Sequence, residues 1–234
     1  MKLISTENGQ TFQLLATEDV RPPSGLYWPD FSRLIIDRYG FVVSPSMDEI
    51  LKDGAKFAHG RLIRDGKLIE IKEFNVYSDG IIVITWNTDD SNTVLDDFAS
   101  WTVESLGFRQ PIFLRPRRFQ SSVIIEFDFS VDSILTPFQE LVDQFSRIIQ
   151  DEQGITAAPT ASRIAFSIDP AVLPRFMSFE FRLERRANSL PSQNRYFSFA
   201  NLSTSQHLEL LAQLERRLSS LGHHSVSLGH RVSN

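Results

Sequence analysis

Two kinds of hydrophobic periodicity alternate along the chain. Strand-like stretches, with apolar residues at every second position or in short continuous runs, lie at 11–16, 61–63, 67–77, 81–86, 123–130, 164–168, 177–183 and 196–199. The Gly-containing segment 64–66 predicts a hairpin turn between the second and third of these. Helix-like stretches, with apolar residues every three or four positions, lie at 29–39, 46–54, 89–107, 134–149 and 203–222. The pattern predicts an α+β fold with three main helices, the last three stretches, packed on a largely antiparallel sheet.

The clearest helix covers 134–149, where Leu141, Phe145 and Ile148 fall on one apolar face. The chain has 19 phenylalanines, and nearly all lie on such faces, so we expect them to fill the core. The run 81–84 is apolar on both faces, which favours a strand in the middle of the sheet. Ser46 and Glu49 have the spacing of a capping box at a helix start.

The chain has no obvious linker, and we expect a single domain over residues 1–222. The basic, proline-broken loop at 109–120 is the best candidate boundary, and a weak one. No repeat of 20–50 residues is visible. Gly222 is expected to end the last helix, and the polar segment 223–234 to form a flexible tail.

Composition excludes several classes of protein. The 234 residues include no cysteine, which rules out disulfides, thiolate catalysis, iron–sulfur clusters and cysteine-based zinc sites. The chain contains no run of 18 apolar residues, so no membrane-spanning helix is predicted. The first residues lack the apolar stretch of a secretory signal. We therefore expect a soluble, cytoplasmic protein without membrane association.

Charge is distributed unevenly along the chain. The net charge is −5, made up of −7 in residues 1–108 and +2 in residues 109–234. Lys72 is the last lysine, so every later cation other than histidine is an arginine, the residue best suited to bidentate pairing with carboxylate or phosphate. The acidic total argues against a general nucleic-acid binder.

One catalytic interpretation rests on Asp53, Glu70 and Lys72. An acidic residue followed by Glu-x-Lys on a strand is a pattern that metal-dependent nucleases and phosphodiesterases use, because the carboxylates hold a divalent ion and the lysine orients water. Strand alternation puts Glu70 and Lys72 on one face. The competing interpretation is an exposed charge pair, and the pattern is common on solvated strands. Two ligands of one ion must lie within about 8 Å of each other.

A second acidic group consists of Asp89, Asp90, Asp96 and Asp97. The first two suit the N-terminal turn of a helix, where the dipole favours negative charge. The other two fall near its polar side. We interpret all four as a solvated helix face, because their spacing does not match a calcium-binding loop.

Partner-binding candidates lie on the polar faces of later strands and in the arginine-rich loop. Alternation places Glu126 with Asp128 on one strand, and Glu180, Arg182 and Glu184 together on another. The loop contributes Arg115, Arg117 and Arg118. With the neighbouring aromatic residues, these arginines also suit a nucleotide or nucleic acid, the second alternative function. Internal charge pairing across strands is the competing structural interpretation.

The sequence lacks the familiar hydrolase, NTPase and dinucleotide-binding motifs. This absence favours a non-enzymatic interaction or regulatory protein that forms part of a larger assembly, or that self-associates. No catalytic residue, metal or cofactor is expected under this hypothesis.

Overall fold

The structure, a computed structural model, describes residues 1–15, 22, 25, 27–110, 116–156, 158–173 and 179–228. In this part of the chain the strands are β1 (Lys2–Leu14), β2 (Ala55–Arg64), β3 (Lys67–Tyr77), β4 (Gly80–Thr85), β5 (Arg118–Glu126), β6 (Arg163–Ser167), β7 (Glu180–Arg185) and β8 (Arg195–Ala200). The α-helices are α1 (Trp28–Tyr39), α2 (Met47–Asp53), α3 (Thr88–Leu106), α4 (Gln139–Gln153) and α5 (Thr204–Leu228). The predicted α+β fold with antiparallel strand pairing is confirmed, with five helices described in place of three main ones.

The chain divides into two compact units. The first unit contains residues 6–122 and 201–204, and the second contains 1–5, 123–200 and the chain from 205 onward. Strands β1 and β5 are each shared between the two, since the division falls within them. The expectations of one domain and of a weak boundary at 109–120 stay predictions.

Both units are built on the same topology. The chain passes twice through one strand, a helix, three strands and a final helix, with the short α2 as an addition in the first pass. The strand order is β2-β3-β4-β1 in the first unit and β6-β7-β8-β5 in the second. Helix α1 therefore corresponds to α4, and α3 corresponds to α5. This correspondence spans about a hundred residues, which is outside the 20–50-residue range of common sequence repeats.

Local signals in the sequence account for several element boundaries. The turn between β2 and β3 places Asp65 and Gly66 at φ angles of 52° and 75°, the conformation of the tight turns that suit strand twist. The predicted capping box at α2 is confirmed, because Glu49 N–H donates to Ser46 Oγ while Glu49 Oε2 accepts from Ser46 N–H. Hydrogen bonds from Ser46 also lower the pKa of the Glu49 carboxyl group.

The core of the first unit is aromatic. Tyr39 of α1 stacks on Phe74 of β3 at 5.8 Å between ring centroids, and Phe98 of α3 lies 4.9 Å from the same ring. Arg38 of α1 donates two hydrogen bonds to Asp97 of α3, at 2.8 and 3.0 Å. Helices α1 and α3 therefore lie next to each other on one face of the sheet, and the apolar side of α1 is buried.

In the second unit, α5 covers part of the sheet. The buried residues His207, Leu211 and Leu218 line its inner side, and His207 contacts Phe181 of β7 edge to face. Helix α5 continues to Leu228, so the predicted helix end at Gly222 is wrong. Residues 229–234 of the predicted tail lie outside the described residues.

Strand β5 also differs from its prediction. Alternation over 123–130 predicts a strand with one face in solvent, but β5 runs only to Glu126 and residues 121–125 are all buried. Ile124 was expected on the exposed face, and it is as buried as its neighbours. Because Ile124 is itself apolar, either face of this strand is suited to burial.

Candidate interaction site

The structure does not bring Asp53 and Glu70 together. Asp53 ends α2, and Ala55, two residues later, pairs with Val76 of β3. Val76 and Glu70 are six residues apart on β3, which is about 20 Å along an extended strand. One metal ion cannot be bound by carboxylates that far apart. Asp53 instead forms an ion pair with Lys56, at 3.5 Å between Oδ2 and Nζ.

Glu70 and Lys72 belong to a small cluster around Trp86. Glu70 Oε2 accepts a hydrogen bond from Trp86 Nε1 at 2.9 Å, and Lys72 Nζ lies 3.4 Å from the centroid of the Trp86 ring system. Lys72 also donates to the carbonyl oxygen of Glu7 and to Asn8 Oδ1. Partial burial lowers the pKa of the Lys72 ammonium group. The two side chains thus fix an exposed indole by a hydrogen bond and a cation–π contact.

The charged residues on the later strands pair with one another within the second unit. Glu126 binds Arg195 at 2.9 Å, while Arg163 contacts both Glu180 and Glu184. Arg182 Nε lies 3.2 Å from Glu184 Oε1 and its guanidinium lies over the ring of Phe199.

Asp128 is largely exposed, and its backbone N–H donates to Glu215 Oε1 at 2.9 Å. With the pairs on the strands, this arrangement is the one expected of internal charge pairing on a sheet face. The partner-binding role that the sequence suggested for these residues stays a prediction.

The arginine-rich loop is described from residue 116 onward, so Arg115 lies outside the described residues. Arg117 donates to Gln13 Oε1 and Asn92 Oδ1, and it forms an ion pair with Asp96. The guanidinium of Arg118 lies 5.9 Å from the centroid of the Phe12 ring. Arg117 is therefore engaged by the protein itself, which weakens its case as a phosphate ligand.

Three of the acidic residues at α3, Asp90, Asp96 and Asp97, have cationic or polar partners. Asp97 forms an ion pair with Arg38 and accepts a hydrogen bond from the hydroxyl group of Tyr39. Asp90 forms an ion pair with Lys67. At the start of α3, Asn87 Oδ1 accepts from the backbone N–H of Asp90, and Asn87 Nδ2 donates to Asp90 Oδ2. Burial raises the pKa of the Tyr39 hydroxyl group. In the described part of the chain, no three His, Asp or Glu residues are grouped to hold a metal ion.

Sequence reasoning missed a serine–histidine pair in the second unit. Ser198 Oγ lies 2.9 Å from His207 Nε2 and donates its hydrogen to the carbonyl oxygen of Arg182, so it accepts from the Nε2–H of neutral His207. Burial lowers the pKa of His207 to about 4. Both residues are 0 % exposed, so no substrate reaches the hydroxyl group and the pair is structural. The nine-residue separation carries no local motif.

A cavity of about 440 Å³ lies in the first unit. Its walls are mostly apolar and include Trp28, Phe31, Phe98 and Phe108, with Arg117 among the polar lining groups. Its size lies within the range of small-molecule pockets. The lining also includes the charged residues Asp96, Glu104 and Arg109, and Arg117 is paired there with Asp96.

An exposed apolar surface of the second unit lies along α4 and at Phe138, the residue before it. Phe138, Leu141, Phe145 and Ile148, which we call the arm face, are between 45 and 63 % exposed. No residue of α4 is buried. The expectation that nearly all phenylalanines fill the core is therefore wrong at Phe138 and Phe145. An amphipathic helix with an uncovered apolar face is typical of an interaction surface.

A second uncovered apolar surface lies beside α5 on the sheet of the same unit. Phe166 and Ile168 are exposed there, and Val172 is exposed in the short helical turn that follows; we call these three residues the seat. Phe166 of β6 stacks on Phe181 of β7 at 4.8 Å, so the seat lies on the face that α5 partly covers. Phe166 is nevertheless 58 % exposed, which is a further departure from the expected core position.

The first unit shows what covers the corresponding surface there. Phe57 of β2 pairs with Phe74 of β3, as Phe166 of β6 pairs with Phe181 of β7. Phe57 is only 1 % exposed, because Phe41 and the α1 side of the unit pack over it. The seat is thus the counterpart of a surface that is covered in the first unit, and α4 is the counterpart of the helix beside it.

Comparison of the chain with models of known protein families and with curated proteins finds no match. In the part of the chain that the structure describes, no helix combines the length and the apolar character needed to cross a membrane.

Proposed function

We propose that this protein is a non-enzymatic interaction protein, a component of a protein assembly, and that it contacts its partner through the arm face. The observation that carries the proposal is the uncovered apolar side of α4, where Leu141 is 63 % exposed. The free energy of the system falls when a partner removes exposed apolar side chains from water. The cysteine-free chain agrees with a reducing cytoplasm, where we place the protein.

The alternatives have less support. A metal-dependent nuclease needs Asp53 and Glu70 at one ion, and the β2–β3 register separates them. A nucleotide-binding role needs cations that are available to phosphate, whereas Arg117 already binds Asp96. The polar sheet face offers charges that are paired with one another, so the apolar arm face is the better contact surface.

Site-specific photo-crosslinking tests the proposal directly. A photoreactive phenylalanine derivative in place of Phe145 replaces one aromatic residue by another at the centre of the arm face. We expect it to crosslink to protein in cells, either to a second copy or to another chain. The matched control places the same group at Gln150, on the exposed polar side of α4.

The result at Gln150 decides the interpretation. Equal crosslinking from Phe145 and Gln150 means that α4 makes only non-specific contacts, and it overturns the proposal. Crosslinking from Phe145 solely to residues of its own chain overturns the proposal, because the arm face is then part of an ordinary intramolecular core.

A further inference from the structure

We infer that the partner of the arm face is the seat of a second copy of this chain, so that two copies exchange α4 helices reciprocally. This inference rests on the proposed function and names its partner. It uses the topology of the second unit, the exposed area of the two surfaces and the charge of α4.

Topology indicates what kind of element fits the seat. In the first unit the phenylalanine pair Phe57 and Phe74 lies under α1 and its following residues, and α1 is the counterpart of α4. The equivalent pair in the second unit is Phe166 of the seat and the buried Phe181, and Phe166 stays 58 % exposed. An amphipathic helix of the α4 type is therefore the element that this surface is built to receive.

Hydrogen bonds and an ion pair in the segments that flank α4 hold the helix in its described position. The backbone N–H of Val131 donates to the hydroxyl group of Tyr196, and Asp132 binds both Arg185 and the backbone N–H of Ala161. One carboxylate thus ties the segment before α4 to the segment after it. With both ends fixed in this way, the arm face and the seat of one copy are uncovered at the same time, and a second copy supplies the complement of each.

The exposed area matches that of a stable dimer. The seven side chains of the arm face and the seat are between 45 and 72 % exposed. With about 200 Å² for a fully exposed large apolar side chain, they present roughly 800 Å² per copy, which is the contribution of each partner to an interface of standard size.

Charge disfavours one alternative arrangement. Helix α4 carries four carboxylates and one arginine. Two α4 helices packed on each other therefore bring like charges together, which disfavours arm-to-arm contact.

Sedimentation velocity over a range of concentrations tests the dimer. We expect the full chain to dimerise, and Phe145→Asp and Phe166→Asp each to raise the dimer Kd by about 100-fold or more, because a carboxylate is placed in an apolar contact. Neither residue is buried, so both variants retain their fold, which circular dichroism verifies. Gln150→Asp on the polar side of α4 and Ile63→Asp in the first unit are the matched controls, and both should dimerise like the unmodified chain.

Crosslinking identifies the mode of association, and the absence of native cysteine makes it selective. One variant carries Leu141→Cys on the arm face and another carries Val172→Cys in the seat. A short bis-maleimide should join the two variants in a mixture more efficiently than it joins two copies of either variant alone.

Three other outcomes overturn the inferred helix exchange. They also show whether the proposed interaction role fails with it. A chain that stays monomeric, while Phe145 crosslinks to a different protein in cells, removes helix exchange and leaves the interaction role. Preferential linkage between two copies of the Leu141→Cys variant shows arm-to-arm packing and likewise removes only helix exchange. A monomer in which a Leu141→Cys/Val172→Cys double variant links internally removes both.

Discussion

Protonation of His207 should destabilise the second unit below neutral pH. Its imidazole is 0 % exposed, contacts the ring of Phe181 and donates through Nε2 to Ser198 Oγ. Burial disfavours the imidazolium ion, so the folded-state pKa is about 4, below the ordinary value of 6.5. The unfolded chain therefore binds the proton first as the pH falls.

The sign and size of the effect follow from that difference. Above pH 6.5 the imidazole is neutral in both states, and its full contribution to stability is present. Between pH 6.5 and pH 4 only the unfolded state gains a proton, so the free energy of unfolding falls as the pH falls. At about 1.36 kcal/mol per pH unit, the loss approaches about 3 kcal/mol at pH 4.

The assay compares the unmodified chain with His207→Gln. The glutamine amide does not titrate over this range, and it retains a donor for Ser198 Oγ. Hydrogen exchange measured on peptides from β8 and α5 is the suitable readout, because the three tryptophans, Trp28, Trp86 and Trp101, all lie in the first unit.

We expect the stability of the unmodified chain relative to His207→Gln to decrease by about 3 kcal/mol between pH 7 and pH 4. Carboxylates that titrate in the same range affect both proteins and cancel in the difference. His59→Asn, at an exposed histidine with φ of 58°, is the control and should follow the unmodified chain. A stability difference that stays constant over the pH range refutes the reasoning.

Two further predictions concern the first unit and are followed by tryptophan fluorescence during urea unfolding. Tyr39→Phe removes the 2.8 Å hydrogen bond to Asp97 but leaves Arg38 in place, so we expect a loss of about 1–2 kcal/mol; an unchanged unfolding midpoint contradicts this role. Gly9→Ala should cost at least about 2 kcal/mol, because the new Cβ atom meets the backbone of Asn87 at 1.9 Å. Gly66→Ala in the β2–β3 turn meets nothing within 4 Å and changes only the backbone preference at a φ of 75°, so it should cost only about 1 kcal/mol; an equal loss at both positions contradicts the clash.

Periodicity located most elements because it reports which positions share a face. The turn at Asp65 and Gly66 and the capping box of Ser46 are local, so their signals are complete within a few residues. The pairing of Ser198 with His207 depends on the packing of α5 over β8, which no short segment encodes. The same holds for Glu70 and Asp53, whose separation follows from the β2–β3 register.

The arm face shows what an amphipathic sequence pattern does not predict. Helices α1 and α4 both have an apolar side, and the pattern says only that such a side is suited to burial, not which surface buries it. In α1, Phe31, Ile35 and Tyr39 are buried within the first unit. Helix α4 has 15 residues and none is buried, and an isolated helix of that length is marginal in water. An apolar face that its own unit leaves uncovered, on a helix of marginal intrinsic stability, is the observation on which the proposed interaction rests, and the uncovered seat is the surface that we propose a second copy brings to it.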